Sequence, residues 1–205
     1  MSMEKIDFKK MFKHLYGPTA SKVEIVEVPR MNFLMIDGEG DPNTSKSFSD
    51  AIEALYSVSY TLKFIIKRGK TGVDYGVMPL EGLWWSDDMS DFTLGNKDAW
   101  KWTLMVMQPE FITKEMVLEA KEEVAKKKNP VALPLLRFES FMEGKAAQIL
   151  HIGPFSEEGP TIERVHVFIE DHGGRRVGKH HEIYLSDMRR VAPEKWKSIV
   201  RQPMS

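Results

Sequence analysis

Two stretches of this chain begin with Lys-Trp and end with Gln-Pro at the same internal spacing. They are Lys101–Pro109 (KWTLMVMQP) and Lys195–Pro203 (KWKSIVRQP), and both contain the apolar and β-branched residues of a strand. Self-similarity at a long period predicts two copies of one supersecondary unit. Two packed copies usually leave a groove where they meet, and such grooves are common ligand sites.

The residues before the first repeated stretch predict the order β-α-β-β. Val23–Ile36 is rich in β-branched residues and is followed by a turn-rich segment, DGEGDP. Ser45–Ile66 has apolar residues at a helical period. Tyr75–Trp85 and Trp100–Gln108 are the next two predicted strands, and an acidic, turn-prone stretch from Ser86 to Asp98 separates them.

The same order is predicted for the second half of the chain. Leu133–Ile152 reads as two strands joined by a turn at Glu143-Gly144, and Thr161–His172 has the apolar spacing of a helix. Lys179–Leu185 and Trp196–Arg201 are the last two predicted strands. The pattern therefore predicts β-α-β-β again.

One further helix, Thr113–Lys128, lies between the two predicted units. Its acidic residues come first and its lysines last, which suits the helix dipole. We therefore predict a single α+β domain over residues 1–205, with a first unit at 23–110, a linker helix at 113–128 and a second unit at 133–203.

Composition and charge exclude several classes of function. The chain has 29 basic and 30 acidic residues, whereas nucleic-acid-binding domains normally carry a basic surplus. Cysteine is absent, so thiol catalysis and zinc–thiolate sites are excluded. No apolar run approaches the roughly 18 residues of a membrane span, and the charged start of the chain lacks the apolar core of a signal peptide. We expect a cytoplasmic protein without a cofactor, a nucleic-acid partner or a membrane partner.

The segment KHHEIYLSD, residues 179–187, contains the polar side chains that most suggest a functional site. Side chains alternate along a strand, so His180, Glu182 and Tyr184 share one face while His181 and Ile183 point the other way. A carboxylate on a buried face is desolvated and unusual outside functional sites. The alternative is a face open to water, which would leave Glu182 as an ordinary surface residue. Adjacent strand residues point apart, so the neighbouring histidines do not predict a metal site.

Tryptophans are concentrated in the first predicted unit. Four of the five fall at Trp84, Trp85, Trp100 and Trp102. Trp84 and Trp85 must point to opposite faces of a strand, whereas Trp100 and Trp102 share one face. A carboxylate, Glu81, precedes the first pair at a place comparable to that of Glu182.

Four motifs together resemble the GyrI-like small-molecule-binding proteins. They are EGLWW (81–85), WKWTLMVMQPEF (100–111), EGKAAQILHIGPFSEE (143–158) and GKHHEIYLSDMRR (178–190). The resemblance runs from about Val23 to Pro203 and implies two β-α-β-β units with pseudo-twofold symmetry and a ligand cleft between them. It points to the stand-alone form of the family, because the chain has no room for a helix-turn-helix domain. Glu182 occupies the place of the family's central glutamate.

The resemblance also implies a function. Some stand-alone members hydrolyse the cyclopropane ring of cyclopropanoid DNA-alkylating compounds in an aromatic cage, and the EGLWW motif points to that subset. The implied catalytic residues are Glu182, as general base or acid, and Tyr184, as hydrogen-bond donor. The expected ligand is a planar hydrophobic molecule, and the expected ligand-binding residues are Trp84, Trp85, Trp100, Trp102, Phe141, Phe155, Tyr56, Tyr60 and Glu81. The alternatives are a non-catalytic protein that sequesters planar hydrophobic or cationic drugs, or one that contacts gyrase.

Overall fold

Residues 5–69, 72–88 and 95–205 are described by the computed structural model. Five α-helices are defined in these ranges: α1 Phe8–Met11, α2 Lys13–Tyr16, α3 Lys46–Arg68, α4 Lys114–Lys127 and α5 Gly159–Asp171. The strands in the same ranges are β1 Glu24–Glu39, β2 Leu80–Trp85, β3 Lys101–Gln108, β4 Arg137–Ile152, β5 His180–Tyr184 and β6 Lys197–Pro203.

The order of these elements confirms the predicted α+β class. Along the chain β1-α3-β2-β3 is followed by α4 and then by β4-α5-β5-β6, so β-α-β-β occurs twice. The predicted strand from Tyr75 begins later, at Leu80. The acidic stretch predicted between the strands falls in part outside the described residues. The predicted limits of the two units, 23–110 and 133–203, remain predictions.

Contacts group the chain into two units, each assembled from separate segments. The first unit consists mainly of Met31–Met78 and Trp85–Phe141. In it β1 pairs antiparallel with β3, from Asn32 opposite Gln108 to Glu39 opposite Lys101. Helix α3 packs against both β3 and α4. Its buried face is apolar and includes Ala51, Ala54, Leu55, Val58, Leu62 and Ile66.

The second unit consists of Lys9–Arg30, Pro79–Trp84 and Met142–Ser205. Its strands are antiparallel neighbours in the order β2-β5-β6-β4. Helix α5 packs on β6, and its buried residues Val165 and Ile169 join an apolar core with Ala147, Ile149, Val200 and Met204. Strand β5 thus lies between two partner strands, which makes the orientation of its side chains well defined.

The turn predicted at Glu143-Gly144 is wrong. Strand β4 runs without interruption from Arg137 to Ile152. Gly144 has a φ of +78°, a left-handed conformation that glycine adopts at little cost and that is common at local strand irregularities. The chain therefore continues at this point and does not reverse, and Glu143 is a strand residue whose side chain is 1% exposed.

No helix in the described ranges combines the length and the apolar character needed to cross a membrane.

Candidate functional site

Strand β5 presents two chemically different faces. His181 and Ile183 are almost completely buried, while His180, Glu182 and Tyr184 on the other face are partly exposed. This confirms the predicted alternation. Glu182 lies opposite Gly82 on β2 and Val200 on β6. Glycine at position 82 leaves room for the side chains around Glu182, because a Cβ atom there would approach Trp84 Nε1 to 2.7 Å and the Tyr184 hydroxyl to 3.1 Å.

The carboxylate of Glu182 is held by neighbours on its own strand. The Tyr184 hydroxyl donates to Glu182 Oε2 at 2.8 Å, and His180 Nε2 lies 3.1 Å from Glu182 Oε1. Trp84 Nε1–H donates in turn to the Tyr184 oxygen at 3.0 Å. The Glu182 side chain is 16% exposed, so the group is restrained but still accessible.

A second carboxyl group, that of Glu158, forms a hydrogen bond with Glu182. Glu158 immediately precedes α5 and is 3% exposed. Ser198 Oγ on β6 donates to Glu158 Oε1 at 2.5 Å. Sequence reasoning missed this residue, although an acidic group at the start of a predicted helix is a recognisable position because it suits the helix dipole.

The two carboxyl groups have opposite pKa shifts. Burial, and then the negative charge of Glu182, raise the pKa of Glu158 to about 9. Burial by itself would also raise the pKa of Glu182. Hydrogen bonds from His180, Tyr184 and Glu158 outweigh this effect and lower the pKa of Glu182. Near neutral pH the pair therefore consists of a protonated Glu158 and an ionised Glu182. Burial and the Glu182 charge also raise the pKa of Tyr184, which stays a phenol.

Aromatic rings adjoin this pair in the second unit. The Phe155 ring meets the Tyr184 ring edge-on at 5.5 Å, and the Trp196 ring lies 5.3 Å from the Phe155 ring. We call this group the Glu182 site, and its members are Trp84, Phe155, Glu158, His180, Glu182, Tyr184, Trp196 and Ser198. Four of the predicted residues (Trp84, Phe155, Glu182 and Tyr184) are thus brought together, whereas the remaining four members were not predicted as site residues.

The other predicted aromatic residues belong to the first unit. Trp102 is fully buried, with its ring 5.2 Å from that of Phe48. The rings of Tyr56 and Tyr60 are 6.1 Å apart, and Lys97 lies over the Trp100 ring at 5.6 Å. Phe141 meets the Phe33 ring at 6.3 Å. Trp85 ends β2 and is partly buried.

The opposite face of β5 carries a buried network of charged side chains. His181 Nε2 is 3.0 Å from Glu81 Oε2, and its Nδ1 is 2.9 Å from Glu143 Oε1. Arg201 Nη1 donates to Glu143 Oε2 at 3.1 Å, and the Tyr16 hydroxyl donates to Glu81 Oε1 at 2.8 Å. The predicted ligand residue Glu81 thus has both oxygens occupied within the protein.

This network makes His181 a cation at neutral pH. Burial by itself lowers the pKa of His181, but the interactions with Glu143 and Glu81 raise the pKa to about 9. Burial raises the pKa of Glu143, and the charges of His181 and Arg201 reverse that effect and bring the pKa to about 2. Two cations and two carboxyl groups therefore face one another away from water. In the described part of the chain, no three His, Asp or Glu side chains are grouped to hold a metal ion.

The raised pKa of His181 predicts a loss of stability at alkaline pH. Its folded pKa of about 9 exceeds the ordinary value of about 6.5, so its contribution is complete below pH 6.5 and is lost as pH rises through 9. Glu158, with its raised pKa, acts in the same direction. The Glu158→Gln variant removes that second contribution and leaves the effect of His181. We therefore expect the free energy of unfolding of Glu158→Gln in urea to fall between about pH 6.5 and 9, and this fall to vanish when His181→Gln is added. A Glu158→Gln variant of constant stability over this range would show that His181 is not charged in the folded state.

A carboxylate held beside aromatic rings is a combination that small-molecule-binding sites commonly use. Comparison with family models agrees. The model described as a GyrI-like small molecule binding domain matches residues 21–203, and the chain belongs to this family. A search of curated proteins gave no significant match.

Solved structures with the same fold include two from Listeria innocua. An uncharacterized conserved protein is 45% identical, with a TM-score of 0.90, over 98% of this chain and 100% of that chain. A protein named a hydrolase is 44% identical, with a TM-score of 0.86 and the same coverage. The C-terminal domain of EcmrR shares the fold alone, at 11% identity and a TM-score of 0.57, over 90% of this chain and 97% of that domain.

Proposed function

We propose that this GyrI-like protein is a hydrolase that opens the cyclopropane ring of planar, apolar electrophiles of the cyclopropanoid class. The observation that supports this most is the Glu182 carboxylate, which is ionised, restrained by two hydrogen-bond partners and adjacent to aromatic rings. A base of this kind near a flat apolar surface suits the activation of water beside a bound polycycle. Because such compounds alkylate DNA, a detoxifying enzyme would act in the cytoplasm.

The proposed reaction needs neither a metal nor a covalent enzyme intermediate. The oxygen of a water molecule attacks the cyclopropane methylene carbon, and the strained carbon–carbon bond breaks. Its electron pair moves into the conjugated dienone and leaves an aromatic phenolate. The water loses one proton and the phenolate gains one, so the sum is the addition of one water molecule. Glu182 is the proposed acceptor of the proton from water.

Tyr184 is proposed to orient that base. Its hydroxyl hydrogen is directed at Glu182 Oε2, and Trp84 fixes the phenol oxygen from the other side. Donation by Tyr184 to the developing phenolate, which the resemblance implies, requires the hydroxyl to leave Glu182. Protonation of Glu182 by the attacking water would weaken the bond between them and release that donor.

The aromatic residues are proposed to bind and orient the substrate. Trp84 and Phe155 adjoin the carboxylate in the second unit and are the ring contacts that we propose for the ligand. Orientation of a flat substrate over a general base is an effective source of rate enhancement, because it removes the entropic cost of a bimolecular encounter. The Listeria innocua protein named a hydrolase, at 44% identity, supports a catalytic role for this chain.

The alternative function is that of a binder that sequesters planar hydrophobic or cationic compounds. The same rings and carboxylate favour it, because an aromatic face and a negative charge both attract an organic cation. Contact with gyrase, the remaining alternative, has the family name as its only basis.

A turnover experiment separates hydrolysis from binding. The purified protein is incubated with a many-fold excess of a cyclopropanoid compound, and the products are followed by liquid chromatography with mass detection. We expect a ring-opened product heavier by one water to accumulate beyond one equivalent of protein. Depletion of one equivalent of free compound without that product would support the binder and refute the hydrolase. Protein denatured by heat controls for spontaneous ring opening.

A further inference from the structure

We propose that Glu158 and Glu182 hold one proton between them, and that a permanently charged planar cation bound beside Glu182 displaces this proton. A neutral ligand at the same place would leave the proton in position. The inference rests on the proposed ligand site at Glu182, but it does not require that any ligand be hydrolysed. It assigns Glu158 as a residue that determines which ligand charge the site accepts.

Contacts between β5 and β6 bring the two carboxyl groups together, because Ser198, which donates to Glu158, lies opposite Tyr184, which donates to Glu182. Oxygen atoms of two ionised carboxylates repel each other, so a hydrogen bond between Glu158 and Glu182 needs one of them to be protonated. The surrounding donors already supply the other contacts. Ser198 donates to Glu158 Oε1, and Tyr184 donates to Glu182 Oε2. The pair therefore carries one negative charge in place of two.

The carboxyl groups of Glu158 and Glu182 differ in exposure, and therefore in role. Glu158 is 3% exposed, whereas the Glu182 side chain is 16% exposed. Glu182 is thus the group that a ligand reaches, and Glu158 is the desolvated group that keeps the proton when no other positive charge is near. Desolvation disfavours a second negative charge unless a cation compensates for it.

The charged surroundings of the pair are simple. On β5, the titratable groups beside it are His180 and Tyr184, and His166 of α5 interacts with His180. Strand β2 contributes Trp84 and β6 contributes Ser198, neither of which titrates in this range. A bound organic cation would therefore be the main new positive charge at the pair, and the second carboxylate would become favourable.

This coupling predicts opposite pH behaviour for two ligands of the same shape. If cation binding releases one proton, affinity rises by up to tenfold per pH unit until the free protein has itself lost that proton. The pKa of Glu158, about 9, sets the pH at which the rise ends. A neutral planar ligand releases no proton, so its affinity does not rise over the same range.

The test uses 10-methylacridinium as the fixed cation and acridine, neutral above about pH 7, as its uncharged counterpart. Isothermal titration calorimetry in two buffers with different ionisation enthalpies counts the protons released, and dye fluorescence gives affinity from about pH 7 to 10, beyond the pKa of Glu158. For the wild-type protein we expect release of nearly one proton with methylacridinium, none with acridine, and a rise in affinity for methylacridinium alone. Glu158→Gln should abolish both the release and the rise. Glu157→Gln, which removes an exposed charge one residue away, should change neither.

Ser198→Ala provides a second, independent variant. It removes the donor that stabilises an ionised Glu158, so the rise in affinity should extend to a higher pH than in the wild type. Binding of methylacridinium without proton release, at a pH-independent affinity, would overturn the inference and leave the ligand site intact. Failure of both dyes to bind would overturn the site and the inference together. Neither dye can be hydrolysed by ring opening, so the result is independent of the turnover experiment.

Discussion

Glu182→Gln is expected to lower the turnover of a cyclopropanoid substrate by about 10²–10⁴-fold, the usual contribution of a general base, and to leave affinity within a few-fold. Glutamine keeps the size of the side chain and can still accept hydrogen bonds from Tyr184 and Glu158. It cannot take a proton from water. The lowered pKa of Glu182 means that the wild-type group is already ionised at neutral pH, so the whole population of enzyme would lose its base.

Single-turnover rates and equilibrium binding, measured on the same preparations, check this expectation. Glu157→Gln is the matched control, because it makes the same chemical change at an exposed neighbour and should react at the wild-type rate. If Glu182→Gln opened the ring as fast as the wild-type protein, the aromatic residues alone would account for the reaction. The assignment of Glu182 as the base would then be wrong.

Arg201→Met is expected to destabilise the protein by about 3–5 kcal/mol, the usual cost of removing one member of a buried ion pair. The Arg201 side chain is 2% exposed and bonds to Glu143 Oε2, to Gln148 Oε1 at 3.0 Å and to the Leu15 carbonyl at 2.7 Å. Methionine has a comparable length and no charge. In this variant Glu143 keeps His181 as a charged partner but loses Arg201. The Gln148 Oε1 atom and the Leu15 carbonyl lose the donor that Arg201 supplied.

Urea unfolding followed by circular dichroism measures this loss. Arg189→Ala is the control, because Arg189 is 88% exposed and pairs with Asp187 at the surface, so its removal should leave the midpoint unchanged. Adding Glu143→Gln to Arg201→Met should recover part of the stability, since the excess buried negative charge is then removed and His181 still pairs with Glu81. An Arg201→Met protein with the wild-type midpoint would show that the network does not stabilise the second unit.

Local periodicity was sufficient for the order of the elements and for the two faces of β5. The alternation of His180, Glu182 and Tyr184 with His181 and Ile183 is a property of any strand, so the sequence predicts it without knowledge of the neighbours. Helices α3, α4 and α5 follow from apolar spacing in the same way. The choice between a buried and a water-exposed face for Glu182 could not be made from this pattern.

The turn predicted at Glu143-Gly144 shows where local rules fail. A Glu-Gly pair between two apolar runs is typical of a turn, yet the same left-handed glycine conformation is also compatible with a continuous strand. The partners across the sheet decide between the two. Because Glu143 bonds to His181 and Arg201 in the second unit, its side chain is drawn into the interior and β4 continues past it.

Patterns along the chain were enough to predict the α+β class, the repeated β-α-β-β order and the side of β5 on which Glu182 lies. These follow from rules that act over a few neighbouring residues. The pairing of Glu158 with Glu182, and the buried ionic network of Glu81 and His181, depend instead on tertiary contacts. Their contacts join residues far apart in the chain, and their charge states depend on burial and on charges contributed by other strands and by the start of α5. Neither quantity is encoded in the spacing of residues along one strand.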